Sequence, residues 1–262
     1  MDRWAITRDV SKSLGQCELV HQARVAIDLA VARRQHTGYE TCLERLGCEL
    51  IRLPEEPDMP DAVFVEDTAV VLDEIALITR PGAASRRLET ESTAVALRPF
   101  RDILRIESPA FLDGGDVLVM GKDIYVGLSN RTNKHAVDQM RRWLAPYGYR
   151  THSVEVSGCL HLKSAVTSVS ERALLVNPDW INPGAFGPYE IIKVHPDEAH
   201  GANGLWIGRA VIYPLAFPRT AERLDKRGIR IEFVDLSELA KAEGAVTCCS
   251  LVFAKSPGAG SD

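Results

Sequence analysis

A pattern centred on Leu112-Asp113-Gly114-Gly115-Asp116-Val117-Leu118 returns, worn down, four more times along the chain. In each copy a polar residue closing a loop leads into a short apolar hairpin. Asp67 precedes strand-like runs at 69–72 and 75–78, Asp113 precedes 117–120 and 124–126, and His161 precedes 165–166 and 173–176. Asn203 precedes 205–207 and 210–213, and Cys248 precedes 251–253. Asp67, Asp113, His161, Asn203 and Cys248 stand 46, 48, 42 and 45 residues apart. A period of this size signals a ring or stack of like units, none able to bury its apolar face alone.

The segments between the hairpins complete the unit. Residues 4–8 read as a first strand, 22–46 as a helix whose Ile27, Ala30, Val31, Tyr39, Leu43 and Leu46 share a face, and 48–53 as a buried strand. Pro54, Pro57 and Pro60 leave an extended loop carrying Asp61. Helices are expected at 89–97, 134–144 and 219–227, and strands at 103–107 and 229–234. Pro178, Pro183, Gly184, Gly187 and Pro188 predict a loop or short helix over 177–189. Hairpin, helix and strand repeated five times describe an α/β propeller around a pseudo-fivefold axis: one domain over 1–262, with a disordered tail in the last few residues. A doubly wound sheet would alternate single strands with helices, and its Gly-x-Gly-x-x-Gly loop is missing.

If five like units close around an axis, their equivalent positions converge on it. Two acids, an imidazole and a thiol brought together in this way are the parts of a nucleophilic active site. Cys248 and Cys249 are adjacent in a strand-like segment, so only one is expected to face the axis. His161 alternates with apolar neighbours and draws its weight from the repeat position. Cys159, His161 and Cys248 lack the paired-ligand spacing of zinc sites, so no metal is expected.

A net charge of −5 and a pI near 5.8, with scattered Lys and Arg, exclude a nucleic-acid footprint and favour small cationic ligands. A guanidinium fits such a site. Carboxylates hold it, a cation beside a cysteine lowers the thiol pKa, and an imidazole protonates the departing amine. No apolar run approaches a membrane span, no signal peptide is expected at the start, and six cysteines without framework spacing suit a reducing cytosol.

Seven motifs in order cover nearly the whole chain: Ser13-Leu14-Gly15-Gln16; Pro60-Asp61-Ala62-Val63-Phe64-Val65-Glu66-Asp67; Thr79-Arg80-Pro81-Gly82 with Ser85-Arg86-Arg87; the Leu112–Leu118 motif; Val126-Gly127-Leu128-Ser129 with Arg131-Thr132-Asn133; Leu160-His161-Leu162-Lys163-Ser164; and Leu236-Ser237-Glu238-Leu239 through Thr247-Cys248-Cys249-Ser250. Together they resemble the dimethylarginine dimethylaminohydrolases of the guanidine-modifying (pentein) superfamily. The resemblance implies the five-bladed α/β propeller and a reaction without metal or cofactor. Cys248 would be the nucleophile, His161 the general acid and then base, and Asp113 the carboxylate orienting His161. Asp61, Glu66 and Asp67 would lie on the guanidinium side, and Arg86 and Arg131 would clamp an α-carboxylate. Leu19 falls where family members carry a lid. Glu243, before Gly244, falls where relatives often use a shorter acid near the substrate's amino group.

The implied reaction turns N-methylated arginine into citrulline and a methylamine. The nearest rival is a hydrolase or deiminase of the same superfamily acting on arginine or another N-substituted arginine, since one methyl is worth only about 1–3 kcal/mol. An amidinotransferase is disfavoured by the short chain, and a non-catalytic guanidine binder by the intact Cys248, His161 and Asp113. A homodimer is left open.

Overall fold

Each repeat folds as a three-stranded sheet whose middle strand pairs antiparallel with the strand before it and parallel with the strand after it. The computed structural model describes residues 3–255, so the tail expected at the C-terminal end lies outside the described residues. The chain opens with β1 (Arg3–Arg8), crosses through α1 (Leu29–Arg45) and returns as β2 (Cys48–Leu53). The next unit is β3 (Ala69–Val71), β4 (Ile75–Ile78), α2 (Glu89–Leu97) and β5 (Asp102–Arg105). It is followed by β6 (Val117–Met120), β7 (Asp123–Leu128), α3 (Lys134–Leu144) and β8 (Arg150–Glu155).

A single turn, α4 (Leu162–Ala165), leads into β9 (Val166–Ser168), β10 (Ala173–Val176) and β11 (Glu190–Lys193). Here the connecting helix gives way to an irregular stretch with one 3-10 turn at Pro183–Ala185, as the prolines and glycines dictate. The fourth unit is β12 (Leu205–Ile207), β13 (Ala210–Pro214), α5 (Pro218–Asp225) and β14 (Ile231–Val234). After the short α6 (Ser237–Ala240), β15 (Leu251–Ala254) pairs antiparallel with β1, Trp4 opposite Phe253 and Ile6 opposite Leu251. Both ends of the chain thus build the fifth sheet and close the ring.

The apolar interior follows from this layout. Five clusters of buried residues each draw on two neighbouring sheets. Leu77 and Val126 share one, Val154 and Val176 the next, Leu175 and Val211 the next. Ala5 and Ile212 share the fourth, and Ile78 and Phe253 the fifth. No unit has a core of its own, which is the physical content of the 45-residue period. No helix among the described residues is long and apolar enough to cross a membrane.

Several boundaries differ from the sequence reading. Helix α1 starts at Leu29 rather than near 22, because Asp28 caps it: its side chain accepts from the Val31 amide at 3.0 Å. Residues 18–28 instead run without regular structure. Helix α5 starts at Pro218, whose missing amide suits a first turn. Strands β5 and β14 are shorter than expected, although the Ile106 amide still bonds the Ile78 carbonyl at 2.9 Å and the Val211 amide the Arg230 carbonyl at 2.8 Å.

Short helical turns precede the first strand of four sheets, at Val65–Thr68, Gly114–Asp116, Leu162–Ala165 and Thr247–Cys249, and they meet at the axis. Their approach is so close that a Cβ on Gly114 would lie 1.9 Å from the Glu66 carbonyl oxygen. Gly114→Ala should therefore cost on the order of 2–3 kcal/mol by forcing two turns apart. Gly38, inside α1 with nothing near the place of a Cβ, is the control. Gly38→Ala should stabilise by about 0.5–1 kcal/mol. Urea denaturation midpoints test both, and equal effects at the two positions would contradict the close packing of turns at the axis.

Candidate active site

The turns deliver Asp67, His161 and Cys248 to one narrow cavity, which Asp61, Arg86, Arg131 and Glu243 also line. Asp113 is fully buried and does not itself line the cavity. Asn203, at the remaining repeat position, does not line it. Its amide donates to the Lys163 carbonyl and the Thr247 hydroxyl, each at 3.0 Å, and its Oδ1 accepts from the Thr247 amide at 3.0 Å. Asn203 is a brace under the turn that carries Cys248.

Cys248 sits in that 3-10 turn, not in a strand as the sequence suggested. The turn, rather than strand alternation, separates the two thiols. Cys248 is half-buried at the cavity, while Cys249 is fully buried with its Sγ 3.6 Å from the Ala245 carbonyl. Burial, with the charges of Glu66 and Asp67, pushes the Cys248 thiol well above its ordinary pKa.

His161 is held from both sides. Its Nε2 lies 3.0 Å from Asp113 Oδ2 and its Nδ1 3.9 Å from Asp67 Oδ1. Burial alone would lower its pKa, but Asp67, the bond to Asp113, and Asp116 outweigh that and raise it to about 9. Asp113 is fixed in turn by the Gly82 amide at 2.9 Å. Gly115 lets the ring lie flat against the next turn, since a Cβ there would be 2.7 Å from His161 Nδ1. Asp116 accepts from the Leu162 amide at 2.8 Å and the Ser129 hydroxyl at 2.6 Å, fixing the backbone just past His161. The sequence reading did not single it out; the second acid of Asp113-Gly114-Gly115-Asp116 was its signal.

The other expected residues divide. Burial would raise the Asp67 pKa, yet His161, Arg86 and the Gly115 amide bring it down to about 2, so it is a carboxylate throughout. Arg86 Nη1 donates to Asp67 at 2.6 Å, and its other donors reach Glu89 and the Asp61 and Phe64 carbonyls. Arg86 lines the cavity with its donors already engaged by protein. Arg131 is the opposite case: its Nη1 is buried, 3.9 Å from Asp113, with no hydrogen-bond partner among the described residues.

Asp61 accepts from the Glu18 amide at 3.0 Å, and burial raises its pKa. Glu66 faces a separate cavity, bonded to Lys163 at 2.7 Å and to the Thr247 hydroxyl at 2.7 Å. Leu19 is partly buried against the core, in the strap of residues 18–28. The Glu243 carboxylate accepts from the amides of that strap. Glu89, the main partner of Arg86 and pushed by burial up to about 7, gave no signal in the sequence beyond lying three residues after Arg86.

Asp67, Asp113 and His161 present ligand atoms within 4.8 Å of one another, close enough to surround a metal ion. In this arrangement the two acids instead flank a protonated imidazole. A thiol, an imidazolium and a surplus of carboxylates in one narrow cavity can hold a cation, attack its carbon and protonate what leaves.

The model of the eukaryotic N,N dimethylarginine dimethylhydrolase family matches residues 16–185. The chain is 38% identical to the N(G),N(G)-dimethylarginine dimethylaminohydrolase of Streptomyces coelicolor, over 94% of its own length and 95% of the relative's. It is 36% identical to that of Pseudomonas aeruginosa, over 86% of its length and 90% of the relative's. Among solved structures, a Cys-to-Ser variant of the Pseudomonas aeruginosa protein complexed with citrulline superposes with a TM-score of 0.90, at 33% identity, covering 97% of this chain and all of that one. With the closed ring of five sheets and the shared cavity of Cys248 and His161, these likenesses make the chain a member of the dimethylarginine dimethylaminohydrolase family.

Proposed function

We propose that this protein hydrolyses N(omega)-methylated L-arginine, both dimethyl- and monomethylarginine, to L-citrulline and a methylamine. One observation carries the reading. The Cys248 thiol shares a cavity with an imidazole whose pKa of about 9 keeps it protonated at neutral pH, amid acids suited to a guanidinium. The citrulline bound by the Pseudomonas aeruginosa relative is the product such a site would release.

The guanidinium lies between Asp67 and Asp61, and its charge lowers the pKa of the Cys248 thiol, whose proton leaves to solvent. The thiolate adds to the guanidinium carbon. As the tetrahedral adduct collapses, the bond from carbon to the methylated nitrogen breaks and His161 gives that nitrogen its proton. A covalent thiouronium remains on Cys248. His161, now neutral, takes a proton from water; the hydroxide adds to the same carbon, the C–S bond breaks as the new hydroxyl's proton passes to the departing sulfur, and citrulline leaves with the Cys248 thiol restored. Asp113 holds the ring in place and stabilises its charged form, while Arg86 keeps Asp67 ionised and aimed.

Arg131 anchors the substrate's α-carboxylate. A buried guanidinium nitrogen without a partner is costly unless an anion completes it. Glu66 acts from below the cavity, where its charge helps keep the resting thiol neutral. The six cysteines are all free, which suits a reducing cytosol.

A panel of dimethylarginine, monomethylarginine, arginine and agmatine tests the assignment. Ureido product should form from the methylated arginines and vanish in Cys248→Ser. Preference for arginine, or product from that variant, would contradict it. Arg131→Gln should raise KM for dimethylarginine about 10- to 100-fold, the loss of a charged hydrogen bond. Agmatine, which lacks the carboxylate, should be nearly insensitive to that change; equal losses for both would remove the anchor.

The pH profile gives a third test. His161 holds its proton below its raised pKa, so kcat/KM should fall as pH rises through about 9. By linkage, the same pairing adds stability that is full below the ordinary value of 6.5 and lost as pH rises through about 9. An alkaline limb near 6.5, or none, would show that His161 is not the acid.

A further inference from the structure

Residues 18–28 run without helix or strand beside the cavity, which Glu18 helps to line, and most of them are exposed. Leu19 and Ile27 are partly buried, whereas Val20 and Val25 are 47% and 51% exposed. Polar ties take over. The amides of Val20, His21 and Gln22 converge on the Glu243 carboxylate at 3.1, 2.6 and 2.7 Å. Beside them, the Glu18 amide reaches Asp61 at 3.0 Å, the Asp28 amide reaches Glu238 at 2.8 Å, and Lys241 Nζ reaches the Ala26 carbonyl at 3.2 Å. Three successive backbone N–H groups around one carboxylate form an anion nest, and no other tie of the strap gathers so many donors.

A second, independent feature marks the same residue. Glu243 is the one non-glycine among the described residues with a left-handed backbone, at φ 58°. An L side chain is disfavoured there and glycine is not. Strain kept in a residue that lines the cavity points from conformation to function. The left-handed turn lies five residues before Cys248, so the latch and the nucleophile ride on one segment.

We propose that Glu243 is a positioning residue: its carboxylate latches the strap of residues 18–28 over the active-site cavity and so sets how long substrate is retained before Cys248 attacks. The latch acts on the hydrolysis proposed above and rests on that reading for its effect on turnover. Its mechanical part, the hold of Glu243 on the strap, does not depend on which substrate is used.

The left-handed backbone supplies the discriminating variant. Glu243→Gly relieves the strained conformation while deleting the carboxylate, so a merely structural Glu243 and a latch give opposite results. The latch predicts a melting temperature unchanged or raised. It also predicts amide hydrogen exchange at Val20, His21 and Gln22 at least tenfold faster, KM for dimethylarginine at least tenfold higher, and kcat within threefold of wild type. Glu243→Gln, which keeps an acceptor oxygen but not the charge, should fall between the two, and it carries the test if Glu243→Gly folds poorly. Unchanged exchange at the three amides would overturn the latch, whatever the substrate proves to be. Faster exchange with KM unmoved would overturn its role in retaining substrate. If wild type fails to turn over methylarginine while exchange responds as described, the proposed reaction fails and the latch stands.

Discussion

Burial of negative charge around a thiol governs this structure. Asp67, Asp113 and Asp116 are all withdrawn from water within reach of His161, and Asp61 and Glu66 are nearly so. Isolated buried carboxylates are costly, so each must find a cation or a set of donors. Asp67 takes Arg86 and the Gly115 amide, Glu66 takes Lys163, and Asp113 takes His161 and the Gly82 amide. Cys248 is the group left without a cation. Its thiol stays protonated because a thiolate would add one more negative charge to a cavity already rich in them. The resting site is thus electrostatically incomplete, and a guanidinium is the shape and charge that completes it.

Ring closure makes the arrangement possible. No single sheet has a core, so the turns at the axis are held by their neighbours on both sides, and cavity-lining groups far apart in sequence are fixed by the same packing that stabilises the fold. The pairing of β15 with β1 places the turn of Cys248, a residue three positions before that strand, against turns from the first half of the chain. Glycines at 114 and 115 are the price of that proximity, one against a carbonyl and one against the His161 ring.

Much of this was legible in the sequence because a repeat period encodes geometry directly. The near-even spacing of Asp67, Asp113, His161, Asn203 and Cys248 implies that they converge on one axis. What stayed hidden depends on partners distant in sequence. Asn203 occupies a repeat position yet serves as a brace, which only the Thr247 and Lys163 contacts reveal. Residues 22–28 carry helical periodicity but remain irregular, because Asp28 caps the helix that follows and side chains from the C-terminal segment hold the strap. The two arginines looked alike as loop residues; Glu89 and Asp67 engage Arg86, while Arg131 keeps a free donor. The two cysteines are parted by a 3-10 turn that a Thr-Cys-Cys-Ser string does not announce.

The most direct measurement is the ionisation of the Cys248 thiol, followed as the ultraviolet difference spectrum between wild type and Cys248→Ser. It should be recorded free and with a saturating cationic guanidine that is not turned over. The account predicts no Cys248 thiolate at neutral pH in the free protein and its appearance when the cation binds. A thiolate already present in the empty site, or a thiol that stays protonated with the cation bound, would contradict it.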